Sequence, residues 1–206
     1  MLLIRTKSRA FLLGALAVAL ATQPALAQFS DSYNFLKAVD DRDGAEAEKY
    51  ISEPGSVIIN TKRDGTGETA LHLVVARKDD TWLGYLLQKG ANPNLADRKG
   101  VSPLMLATQL GFTEGVLRLL KYKASVDATN RSGETALIRA VQLRQPELVR
   151  ILLKAGANPD KRDSVAGLSA REYAAQDGRN SAILAIIERG GQADEPKKSG
   201  ELDFSG

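Results

Sequence analysis

The sequence predicts an all-α repeat solenoid of about five helix-turn-helix units with short β-turn fingers. One observation is a glycine that returns at a near-constant interval: Gly67, Gly100, Gly133 and Gly167 are 33, 33 and 34 residues apart. Another is that each opens a similar phrase: GETALHLVVA, GVSPLMLATQ, GETALIRAVQ and GLSAREYAAQ. The apolar residues between these glycines also recur at helical spacing, in runs too short to be stable as isolated helices, so each unit must bury its face against its neighbours.

The chain opens on a basic stretch, Arg5, Lys7 and Arg9, followed by an almost wholly apolar run from Phe11 to Ala21 and by Ala25-Leu26-Ala27. That order is expected of a secretory signal peptide cut after Ala27; the apolar run falls short of the ~20 residues that span a bilayer. Residues 1–27 would then be absent from the mature protein, which would not insert in a membrane. Losing three of the 28 basic residues leaves 25 against 25 acidic ones. The whole-chain net charge of +3 therefore gives no reason to expect nucleic acid as a partner. There is no cysteine, so packing has to supply the stability without disulfides.

Residues 28–191 read as the repeat domain, with units at about 31–63, 64–96, 97–129, 130–162 and 163–191. In the first, Phe35 to Val39 and Tyr50-Ile51 form a degenerate helix pair, with Val57 to Asn60 leading into the turn, as an N-terminal cap. In the next four, Thr69, Ser102, Thr135 and Ser169 stand where a hydroxyl caps the first helix. Leu71, Leu73 and Val74, then Leu104, Leu106 and Ala107, give that helix one buried face. Second helices follow through Leu83, Leu86 and Leu87, then Val116, Leu119 and Leu120, then Val149, Leu152 and Leu153. Gly90 and Gly156 end two of them in the left-handed conformation that glycine adopts most easily. Arg171, Glu172, Arg179 and Glu188 put charge on the last unit, as a solvent-facing cap requires. The remainder, 192–206, is polar, rich in glycine, serine and charge, and expected to be disordered; Phe204 is its one aromatic residue.

These residues resemble the ankyrin-repeat family, whose 33-residue unit carries a Thr-Pro-Leu-His phrase, two antiparallel helices and a projecting β-turn. Gly67 to Ala76 matches best. Ser102-Pro103-Leu104 lacks the histidine, Thr135-Ala136-Leu137 lacks proline and histidine, and Ser169-Ala170-Arg171 has arginine in place of leucine. The LLQKGANPN, LLKYKASVD and LLKAGANPD endings and the Asp97-to-Gly100 turn complete the likeness. What the resemblance implies is a protein-binding role without catalysis, and a structural role for His72 in bonding backbone groups between turns.

Motifs that would carry chemistry are missing. His72 is the only histidine, and no acidic cluster has the order of a calcium loop, so no metal or cofactor is expected. Asp64-Gly65-Thr66-Gly67 lacks the Gly-Lys-Ser/Thr of a phosphate loop and reads as a turn. No Gly-x-Ser-x-Gly elbow occurs. Asn130-Arg131-Ser132 fits a glycosylation acceptor by pattern and a polar turn by position. Trp82 and Tyr85, at helical spacing with Leu86, are expected to fill the core.

A solenoid binds with residues that stacking does not use. Aligned on the glycines, these are Arg98, Lys99 and Val101; Arg131, Ser132 and Glu134; Ser164, Val165 and Leu168 at the turn tips. Arg77, Gln109, Leu110, Gln142 and Leu143 join them at the ends of the first helices. Arginine beside exposed leucine suits a protein interface. The expected function is a monomeric, non-enzymatic module that binds a protein partner in a periplasm or after secretion. The alternative is a secreted effector or inhibitor that blocks an enzyme with the same surface.

Overall fold

The computed structural model describes residues 24–52 and 56–192, with side chains from residue 31. The apolar run of the expected signal peptide and the tail from 193 onward lie outside the described residues. Among the described residues ten α-helices run in order: α1 (Pro24–Asp41), α2 (Gly44–Ile51), α3 (Ala70–Ala76), α4 (Asp80–Gln88), α5 (Pro103–Gln109), α6 (Thr113–Lys121), α7 (Ala136–Gln142), α8 (Pro146–Lys154), α9 (Ala170–Gln176) and α10 (Ser181–Glu188). They form five antiparallel pairs, and among the described residues there is no strand, only isolated antiparallel bridges such as Thr129 with Thr135 at the base of a finger. No described helix is long and apolar enough to cross a membrane.

The odd-numbered helices stack as an inner row, α1 on α3 on α5 on α7 on α9, and α4, α6, α8 and α10 stack as an outer row. Seven-residue inner helices are too short to persist alone, and what holds them is burial between the rows. Leu71, Leu104 and Leu137 are all but inaccessible, as are Leu83, Leu86, Leu119 and Leu152 from the outer row. The expected caps form at the start of the inner helices. The Ser102 hydroxyl accepts from the Met105 N–H at 3.2 Å, Thr135 from Ile138 at 3.2 Å, and Ser169 from Glu172 at 3.3 Å. Glu172 closes a capping box by accepting from the Ser169 N–H at 2.8 Å.

His72 sits where the family resemblance implied. Its Nδ1 accepts the backbone N–H of Thr69 at 3.2 Å, and its Nε2 lies 2.9 Å from the carbonyl oxygen of Val101 in the next unit. A backbone N–H can only donate and a carbonyl can only accept, so the proton is on Nε2 and the ring is neutral. Burial lowers the His72 pKa, because a second ring proton would meet the Thr69 N–H in a site that water cannot reach.

Trp82 and Tyr85 depart from expectation: both are only half-buried, packed against the core rather than within it. They meet edge to face, with centroids 5.5 Å apart and planes at 76°. Across from them α2 presents Gly44 and Ala45, too small to cover the rings, which leaves a shallow depression between α2 and α4. Tyr85 donates to Glu48, which also holds Lys89 at 2.6 Å. Those bonds keep Glu48 down at about 2, while burial and the carboxylate push Tyr85 up to about 12.

Candidate functional site: the finger ridge and the inner-helix face

Between each outer helix and the next inner helix the chain turns out into a finger. A side-chain acceptor at its base closes the turn in the second, third and last fingers. Asp97 Oδ1 accepts from Lys99 and Val101, both at 2.8 Å; Asn130 Oδ1 accepts from Ser132 at 2.9 Å and Glu134 at 3.0 Å. Asp163 Oδ1 accepts from Val165, Ala166 and Gly167. With Asn130 so used, and its Nδ2 donating to Glu134 at 2.7 Å, the Asn-Arg-Ser pattern is a turn.

Adjacent fingers are bonded to one another. The Arg98 N–H donates to Thr66 O at 2.9 Å, Arg131 to Lys99 O at 3.1 Å, and Ser164 to Ser132 O at 2.9 Å. This explains the recurring glycine more fully than turn geometry alone. Gly67, Gly100 and Gly133 have φ of +75°, +79° and +73°. A Cβ on any of them would also lie 2.8 Å from the backbone nitrogen of the next finger. Below the tips, Asn60 accepts from Asn92 at 2.8 Å, Asn94 from Ser125 at 2.7 Å and Asp127 from Asn158 at 2.9 Å. The ridge is therefore a rigid comb whose tip side chains are free of structural duty.

The residues expected to contact a partner divide into groups on this frame. Arg98, Lys99 and Arg131 are exposed, with no side-chain bond or ion pair among the described residues. Ser164 and Val165 are exposed on the last finger, Val165 to 79%. Leu143 is 43% exposed at the end of α7, and Gln109 and Leu110 are half-buried at the end of α5. Val101, Ser132 and Leu168 are half-buried, and the backbones of Val101 and Leu168 close their turns. Glu134 and Gln142 are held in place, both accepting from Arg139 Nη1, at 3.4 Å and 2.9 Å.

Arg77 is placed differently from the tip cations. Its Nη1 donates to Val39 O at 2.7 Å, its Nε to Asp79 at 3.2 Å, and its guanidinium lies 5.7 Å from the Trp82 centroid. It clasps the C-terminal end of α1, where carbonyls lack helical partners, and so joins the first unit to the second.

Two residues of the inner-helix face were not among the expected ones. Arg139 and Tyr173 occupy the position that Leu73 and Leu106 hold in earlier units, and both are half-buried. Tyr173 donates to Asp163 at 2.6 Å, which raises its pKa. Alignment on the glycines would have shown a polar break in an otherwise leucine column.

The chain belongs to the ankyrin-repeat family: the family's profile of three repeats matches residues 37–130 and again 71–163, together more than half of the sequence. Over 118 residues the chain is 33% identical to the human transient receptor potential cation channel subfamily A member 1, covering 56% of this chain and 10% of the channel. It is 35% identical over 113 residues to an ankyrin repeat-containing protein of Treponema pallidum (strain Nichols), covering 54% of this chain and 38% of that one. Human neurogenic locus notch homolog protein 4 matches at 40% over 95 residues, 46% of this chain and 5% of the relative. The matches thus span a minor part of each relative. Ankyrin repeats are protein-interaction modules, and the family is typically non-catalytic.

Proposed function

We propose that this protein is a non-enzymatic binding protein that works outside the cytoplasm, in a periplasm or after secretion. It holds a partner protein against its finger tips and inner-helix face. The observation that carries the reading is the comb itself. Adjacent fingers are hydrogen-bonded to one another through their backbones, yet the side chains of Arg98, Lys99, Arg131 and Val165 at their tips make no such bond and stay exposed. A pre-organised row of exposed side chains loses little entropy on binding, the condition under which a modest surface gains affinity. The export part rests on the basic start, apolar run and Ala25-Leu26-Ala27 of the sequence.

The test is affinity capture from native envelope extract and from culture medium, with the protein purified from its own host. Parallel fractionation and N-terminal sequencing locate the chain. A specific partner retained by the parent, and a processed chain outside the cytoplasm, support the reading. An unprocessed cytoplasmic chain refutes the export part, and no partner in either extract refutes the binding part. A captured enzyme that loses activity in the complex would make the protein an inhibitor acting through the same surface.

A further inference from the structure

Resting on that reading, we infer that the partner presents an acidic segment, with carboxylates interleaved by apolar side chains, to the second and third fingers. Arginine on the ridge side is commonly paired: Arg63 with Asp40 and Glu68, Arg139 with Glu134, Arg144 with Asp177, and Arg162 with Glu172. Arg98, Lys99 and Arg131 are the exceptions, consecutive along the comb and exposed. The backbone bond from Arg131 N–H to Lys99 O fixes their separation.

Acids on the same and later fingers are committed elsewhere, and the exposed Asp64 stands one finger away, on the first. Asp97 closes its own turn, Glu134 holds Asn130 and Arg139, and Asp163 is buried under the last finger. Beyond residue 27 the basic and acidic residues are equal at 25 each, so this patch is a local segregation within a neutral chain. Three cations held in register, with the carboxylates of their own fingers engaged elsewhere, attract carboxylates and penalise basic partners.

The floor beneath decides between classes of polyanion. On the inner-helix face that follows the second and third fingers stand Leu106 and Leu110 of the α5 segment, half-buried, and Leu143 after α7, 43% exposed. A phosphodiester chain has no use for a leucine floor, and duplex binders typically neutralise some 6–10 phosphates, more than this ridge offers. An extended peptide meets both demands, since alternate side chains point to opposite sides and can address tip and floor in turn.

The experiment is selection of random 12-residue peptides displayed on phage against the immobilised full chain. Winners are then re-measured by fluorescence anisotropy as synthetic peptides at low and high salt. The variants are Arg98→Gln/Lys99→Gln/Arg131→Gln and the corresponding triple change to Glu, each verified as folded by circular dichroism. Glutamine keeps most of the Arg98 stem that lies over Gly67, so charge is tested apart from packing. Selected peptides should be enriched in Asp and Glu alternating with apolar residues. Their affinity should drop roughly 10-fold in the glutamine variant, as expected for the loss of three exposed charge pairs. It should drop further in the glutamate variant and weaken with salt.

Neutral or basic winners, or acidic ones that bind the variants as well as the parent, would overturn the inference while leaving a peptide-binding module in place. Equal or tighter binding of an oligothymidylate probe, lost in the same variants, would overturn it in favour of nucleic acid. No winner above background, with no partner captured from extract, would sink the binding reading and this inference together.

Discussion

Gly100 and Gly167 offer a controlled comparison, because they share a conformation and differ in surroundings. Their φ values are +79° and +68°. A Cβ on Gly100 would meet three backbone atoms of the next finger: Arg131 N at 2.8 Å, Asn130 Cα at 3.0 Å and Asn130 C at 3.1 Å. A Cβ on Gly167 would meet nothing within 4 Å. Alanine at either site incurs the left-handed penalty of about 1–2 kcal/mol, partly offset by the smaller entropy of its unfolded chain, for a net of about 1 kcal/mol. Gly100→Ala must also displace the third finger. That weakens the Arg131-to-Lys99 bond, worth about 1 kcal/mol, and adds an overpacking cost of about 1–3 kcal/mol. The expected losses are therefore about 1 kcal/mol for Gly167→Ala and about 3–5 kcal/mol for Gly100→Ala. Urea unfolding followed by circular dichroism at 222 nm measures both. Losses that agree within about 0.5 kcal/mol would mean the fingers do not touch as described, and the rigid comb would fall with them.

Three further outcomes follow from the same geometry. Lys123 takes a φ of +65° at the end of α6, where Gly90 and Gly156 end the equivalent helices at +93° and +90°; Lys123→Gly should stabilise by about 0.5–1 kcal/mol, seen as a Tm rise of a few degrees. The His72 pKa is lowered by burial, so from about 6.5 downward the unfolded state binds more protons and stability falls as the pH drops. Urea midpoints between pH 8 and 5 should decline in the parent more steeply than in His72→Gln, and parallel declines would refute the neutral buried ring. Arg77→Ala should lower stability by about 1–2 kcal/mol through loss of its bonds to the Val39 carbonyl and Asp79, both of which Arg42 also reaches, and leave binding by the folded protein little changed. Lost binding at unchanged stability would return Arg77 to the interface.

Much of this fold was legible in the sequence because the repeat makes local chemistry speak several times over. The glycine period, the Ser/Thr caps and the leucine triplets each satisfy a requirement within one unit: a left-handed turn, an orphan N–H, an apolar stripe. Reading them needs no knowledge of what lies next door. The pairs and stack they predict are those observed; the box that Glu172 closes with Ser169 goes beyond the hydroxyl cap expected there. His72 was placed by family likeness rather than by periodicity, since its bond to Val101 O reaches across a unit boundary.

Tertiary structure decided what depends on the neighbour one repeat away. Arg77 and Arg98 are both arginines at solvent-side positions. One clasps the carbonyls of α1 and the other stays free, because the helix end that captures Arg77 has no counterpart beside the second finger. Trp82 and Tyr85 have the spacing of core residues, and it is the small Gly44 and Ala45 on α2 that leave them half-covered. The glycines show the division most clearly. Sequence identified them as turn residues from their own backbone needs. Only the stacked structure shows that Gly67, Gly100 and Gly133 also make room for the next finger while Gly167 does not, because that contact joins residues some 31 positions apart that meet only once the helices have packed.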